Sequence, residues 1–185
     1  YCCGTERVYV VDEIADAFTD EVVKLASNLR QGASGEFDVG AIFWDKQLDV
    51  SERHMADAVE KGATVRVGGR RNPDLEGLYY EPTVLTDVDH GMQIMREETF
   101  GPTIGIMPVA GDDQAVELMN DSPYGLTACV WTADEAAATA IGDRVHTGTW
   151  FMNRCDALDP DLAWVGVKDS GRGCTLSRVG YEYLT

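Results

Sequence analysis

Short apolar runs alternate with stretches of helical period along nearly the whole chain, and this alternation limits the fold more than any other feature. Val8 to Val10 reads as a short buried strand. From Asp12 the pattern turns helical, with Ile14, Phe18, Val22, Leu25 and Leu29 on one face. Asp12 is placed to cap this helix, Asp12, Glu13 and Asp16 suit its positive end, and Gly32 is placed to close it. A second helix is expected from Val50 to Lys61, with Met55, Ala58 and Val59 inward and Gly62 as its stop. Strands are expected at Thr64 to Val67, Tyr79 to Leu85, Thr103 to Val109, Cys129 to Thr132 and Thr149 to Met152. Between the later strands, a helix capped by Gly111-Asp112-Asp113 ends near Asn120, and another runs from Asp134 to His146. Strands interleaved with helices argue an α/β fold, with a mainly parallel sheet flanked by helices.

A chain of 185 residues, 44% apolar and 25% charged, can bury a core of its own. It carries no repeat, low-complexity tract or linker, so one domain is expected. No apolar run approaches the roughly 18 residues that span a bilayer, and the N-terminus lacks a signal-peptide pattern. The five cysteines form no CxxC pair or Cys/His ligand cluster, and the three histidines share no ligand spacing with them. Free thiols in a cytoplasmic setting are expected, with no metal site. The net charge of −17, without any basic cluster, argues against nucleic acid. The acidity reads as solubility through self-repulsion, or as adaptation to high salt.

Two segments suggest chemistry. Tyr1-Cys2-Cys3-Gly4-Thr5-Glu6-Arg7-Val8-Tyr9-Val10 offers a cysteine, four residues, an arginine and a strand. Glu97-Glu98-Thr99-Phe100-Gly101-Pro102 offers paired acids and an aromatic before a tight turn and a strand. Taken singly, each has a plain structural reading: Cys2 as a small buried hydrophobe, and Glu97 and Glu98 as a solvated acidic pair. No GxGxxG follows a strand, so no complete dinucleotide domain is legible.

With Asn120-Asp121-Ser122-Pro123-Tyr124-Gly125-Leu126 and Gly166-Val167-Lys168-Asp169-Ser170-Gly171-Arg172-Gly173, these motifs run in order to the end of the chain. Together they resemble the aldehyde dehydrogenase superfamily. The resemblance implies an aldehyde dehydrogenase-like catalytic domain over 1–185, with 153–173 forming an anchor loop and subunit-contact region. The implied reaction is NAD(P)-dependent oxidation of an aldehyde to a carboxylic acid, through a cysteine thiohemiacetal and thioester.

By the same resemblance Cys2 is the nucleophile, Glu98 grips the nicotinamide ribose and Phe100 packs beside the nicotinamide. Gln47 falls where relatives also reach the ribose. Asp156, Leu158 and Trp164 line the substrate entrance, although Ala163-Trp164-Val165-Gly166 departs from the commoner Pro-Phe-Gly-Gly form. Asn153 is expected to stabilise loop backbone, and Lys168 to Gly173 to serve structure rather than catalysis. Implied partners are NAD or NADP, a small aldehyde, and further copies in a homodimer or homotetramer. In relatives the general-base glutamate, the oxyanion asparagine and the dinucleotide domain precede the position of Tyr1. The chain is therefore expected to be the C-terminal part of a longer enzyme, inactive alone. Two rival readings stay open: a non-catalytic scaffold of the same fold, and a thiol hydrolase.

Overall fold

A computed structural model describes residues 2–155 and 157–184. They form two compact units, 6–111 and 2–5 with 112–184.

The 6–111 unit is built on a four-stranded sheet in the order β1-β4-β3-β2. Its strands are β1 (Arg7–Val11), β2 (Thr64–Val67), β3 (Thr83–Thr86) and β4 (Thr103–Val109). β4 pairs in parallel with both β1 and β3, and β2 joins β3 antiparallel at the edge. Because strand side chains alternate between faces, Val84 and Leu85 enter different cores. Val84 packs with Val10, Ala15 and Ile106 beneath α1 (Asp12–Ser27), whereas Leu85 packs with Leu48, Met55 and Ala58 of α2 (Asp45–Glu60). Each helix thus covers one face of the sheet, the α/β architecture expected.

The register of α1 differs from expectation. Ile14, Phe18, Leu25 and Leu29 are 55%, 38%, 66% and 43% exposed; Val22 packs against the sheet as expected, but its companions there are Ala15, Thr19, Val23 and Ala26. The helix carries two adjoining apolar stripes, and the one with smaller side chains faces the strands, which permits a closer approach. Val59 is likewise exposed, since it follows the fully buried Ala58 and neighbouring helical positions diverge by about 100°.

Other boundaries shift for local reasons. Asp12 is the first residue of α1 rather than its cap, Val11 holds the cap position without a side-chain bond, and the helix ends at Ser27 with Asn28 as its C-cap, before Gly32. α2 begins at Asp45 rather than Val50. β3 begins at Thr83 because Pro82 has no N–H for the ladder, and Tyr80 makes only an isolated bridge to Arg71. A 3-10 turn at Gln93–Met95 leads into the Glu97–Pro102 loop.

The second unit contains α3 (Asp112–Asn120), β5 (Tyr124–Gly125), β6 (Thr127–Val130), α4 (Glu135–Gly142), β7 (Thr149–Met152), β8 (Val167–Lys168) and α5 (Ser177–Glu182). β6 and β7 pair in parallel, and β5 and β8 antiparallel. β6 starts two residues earlier than expected. α4 is shorter than expected and is capped by Asp134, whose side chain accepts from the Ala136 and Ala137 amides. Gly148 has no room for a side chain: a Cβ there would lie 1.5 Å from the Val165 carbonyl oxygen. No helix among the described residues is long and apolar enough to cross a membrane.

Candidate functional site

The Glu97–Pro102 loop connects the 3-10 turn to β4, and its middle residue is its anchor. Thr99 is 1% exposed, and all three of its polar groups are engaged by side chains from elsewhere in the 6–111 unit. Its amide donates to Glu6 Oε2 at 2.8 Å, its hydroxyl lies 3.0 Å from His54 Nδ1, and its carbonyl accepts from Gln47 Nε2. The Phe100 amide donates to the other oxygen of Glu6, also at 2.8 Å. Pro102 closes the loop by accepting the Thr83 amide at 2.8 Å.

Glu6 reaches this loop from the residue before β1, and Gln47, Ser51 and His54 reach it from α2. Those three positions are spaced i, i+4 and i+7, so they share one face of the helix. Ser51 donates to the Gln47 carbonyl at 3.1 Å, and a Cβ on Gly101 would lie 2.4 Å from Ser51 Oγ. Gly101 is therefore required by close approach. Phe100 adopts φ +52°, a left-handed conformation that costs a non-glycine residue on the order of 1–2 kcal/mol. The grip on its amide and the buried Thr99 offset that cost.

Two titratable groups of this cluster are displaced from their ordinary values. Burial, the largest influence, raises Glu6, and Glu98 nearby adds to the rise; the Thr99 and Phe100 amides and Arg7 act against it. Burial lowers His54, with Arg53 adding to the effect, so its imidazole is neutral around pH 7.

The predicted residues fall as follows. Glu98 is exposed, and its carboxylate has no hydrogen bond or ion pair among the described residues. Phe100 is half-buried. Gln47 is brought to the same loop, but its amide nitrogen is spent on the Thr99 carbonyl. Cys2 is exposed while Cys3 is 1% exposed. The segment carrying them lies in the second unit, where Thr127 Oγ1 donates to the Cys3 carbonyl at 3.4 Å. Leu158 is 52% exposed, Trp164 is half-buried in a two-bond bridge with Thr175, and Asp156 lies outside the described residues.

In the 153–173 stretch, Asn153 holds the backbone of Thr132 at both ends, Oδ1 accepting its amide at 3.0 Å and Nδ2 donating to its carbonyl at 2.8 Å. Lys168 Nζ donates to the Asn120 and Ser122 carbonyls at 2.9 and 3.0 Å. Both residues therefore do structural work. No group of three or more His, Cys, Asp or Glu side chains among the described residues could hold a metal ion.

Glu6, Ser51, His54 and Thr99 were not singled out by the sequence motifs as site-forming residues. The shared face of Gln47, Ser51 and His54 was a readable signal, whereas Glu6 carried none beyond its place beside Arg7.

This fold and these motifs define a member of the aldehyde dehydrogenases. The model of the Aldehyde dehydrogenase family matches residues 1–185, and the chain belongs to that family. It is 39% identical over 184 residues to a Mycobacterium ulcerans protein whose name places it among NADP(+) succinate-semialdehyde dehydrogenases; the match covers 98% of this chain and 35% of that protein. It is 31% identical over 189 residues to the betaine aldehyde dehydrogenase of Bacillus subtilis, covering 100% of this chain and 39% of the other. Among solved structures, betaine aldehyde dehydrogenase from Staphylococcus aureus in complex with NAD+ superposes with a TM-score of 0.94 at 31% identity, covering 99% of this chain and 38% of that one. The chain thus spans between a third and two-fifths of the length of these relatives.

Proposed function

We propose that the intact protein oxidises an aldehyde to a carboxylic acid with NAD or NADP as acceptor. The observation that carries this reading is the placement of Glu98. Its carboxylate stands exposed with both oxygens uncommitted among the described residues, beside a threonine fixed at every polar group. Two acceptor oxygens on an anchored loop fit a sugar with two neighbouring hydroxyls, and the half-buried ring of Phe100, two residues further on, offers a flat apolar surface. The residues present therefore fit the nicotinamide half of the cofactor, with Glu98 and Phe100 as its contacts and Gln47 as a support of their loop. When bound, the nicotinamide supplies the hydride acceptor.

The exposed Cys2 acts as nucleophile, through its thiolate. A C–S bond to the aldehyde carbon gives a thiohemiacetal on the sulfur. After oxidation the carbon remains on Cys2 as a thioester, which water cleaves to the acid and the regenerated thiol. Succinate semialdehyde carries a carboxylate and betaine aldehyde a quaternary ammonium. The common motifs accordingly serve the reaction, while Leu158 and Trp164 at the entrance select the tail, a role that the resemblance extends to Asp156. Family membership supports a homodimer or homotetramer for the intact protein.

The test is substitution in the intact protein. Cys2→Ala abolishes aldehyde-dependent NAD(P)H formation, and Cys3→Ala leaves most of it. Full activity in the Cys2 variant contradicts the assignment. Cleavage of a simple ester by wild type without NAD(P)H formation from any aldehyde selects the thiol hydrolase instead.

A further inference from the structure

A carboxylate that is only partly exposed and is aimed at backbone amides needs a reason, and Glu6 is outside the motif residues given roles above. It is an acceptor-only group with two oxygens, and it faces two consecutive N–H groups, one per oxygen, both at 2.8 Å. These are the amides of Thr99 and Phe100, separated from Glu6 by 93 and 94 positions in sequence. The first amide lies one residue after Glu98, and the second belongs to Phe100 itself in its left-handed conformation. Glu98 thus immediately precedes, and Phe100 belongs to, a backbone segment that Glu6 holds at two points.

We infer that Glu6 is a positioning residue for the cofactor: its two-point grip on the Thr99 and Phe100 amides sets the direction of Glu98 and Phe100. This deepens the proposed function and rests on the reading that Glu98 and Phe100 meet the nicotinamide half. Only a carboxylate satisfies both amides at this length. Glutamine has the same shape, but it replaces one acceptor with an NH2 that faces an N–H. Aspartate keeps the charge and is one methylene short. Protonation of Glu6 also turns an acceptor into a donor, so the grip loosens on the acid side. The charged groups that act on Glu6 are Glu98 from the loop and Arg7 next in the chain. Burial moves this loosening to higher pH than a solvated carboxylate would show.

The experiment compares wild type, Glu6→Gln and Glu6→Asp in the intact protein. The readouts are the NAD(P)+ dissociation constant, amide hydrogen exchange of residues 97–102 without cofactor, and steady-state kinetics across pH. Glu6→Gln is expected to weaken cofactor binding about tenfold and to speed exchange of the Thr99 and Phe100 amides about tenfold, the scale of one charge-assisted hydrogen bond. The aldehyde KM stays within about twofold, and the acid-side loss of cofactor affinity disappears. Glu6→Asp falls between the two. Wild-type affinity and exchange in Glu6→Gln overturn the inference, as does a lowered melting temperature with both unchanged. If Glu6→Gln does not fold, Glu6→Asp decides by the same two readouts. Wild type that binds no NAD(P)+ overturns the cofactor reading instead, and exchange in the cofactor-free protein still scores the grip by itself.

Discussion

Glu98 and Thr99 are consecutive in the chain and stand at opposite extremes: Glu98 faces solvent, and Thr99 is 1% exposed with its amide, carbonyl and hydroxyl all held. A residue fixed in this way fixes its neighbours. The backbone that carries Glu98 is therefore held while its carboxylate stays exposed, which suits the cofactor contact proposed for it.

The first consequence concerns Glu98 itself. Glu98→Gln keeps the shape and removes the charge, so single-turnover hydride transfer is expected to slow by about tenfold to a hundredfold through misorientation. The aldehyde KM is expected to change little, because the contact proposed for Glu98 is to the cofactor. Normal transfer rate and normal NAD(P) affinity would return Glu98 to a solvated surface acid.

Gly101 is the second point of control. A Cβ there would meet Ser51 Oγ at 2.4 Å, and Ser51 is fully buried on α2. Gly101→Ala is expected to destabilise the protein by about 1–3 kcal/mol, the usual range for overpacking. Denaturant melts should show that loss, with weakened NAD(P) binding beside it. An unchanged melt and affinity would mean that the loop and helix separate without cost.

The pH dependence of stability has two opposing contributors in this cluster. His54 is depressed from 6.5, so its contribution is complete above that value and is lost as pH falls through its lower folded value. Glu6 is raised from 4.5, so its contribution is complete below that value and is lost as pH rises through its higher folded value. Replacing His54 with Asn should flatten the fall in stability expected just below pH 6.5, and Glu6→Gln should flatten the fall expected just above pH 4.5. Stability curves in urea at stepped pH check both. Parallel curves for variant and wild type would contradict the assignments.

The sequence was legible where local pattern decides and obscure where a distant partner does. β4 falls at Thr103–Val109 and β7 at Thr149–Met152 as expected, because apolar runs bounded by turn residues suffice to set them. In α1 the period was right and the face was not: large side chains at Ile14, Phe18 and Leu25 outweigh Ala15 and Ala26 in hydropathy, yet the smaller ones fit against the sheet. At the site, Glu98 and Phe100 were visible as a contiguous motif. The roles of Glu6 and His54 depend on partners 93 and 45 positions away, which no window along the chain connects. Two apolar stripes on one helix and two polar groups in one buried cluster both need the third dimension to be told apart.

The most direct test of the central claim is to find the covalent bond. The intact protein is mixed with aldehyde and NAD(P)+, quenched in acid during turnover and digested, and the peptides are weighed. The account predicts an acyl group on Cys2, absent when the cofactor is omitted and absent in Cys2→Ala. Turnover with no acyl group on Cys2, or with one on another residue, would contradict it.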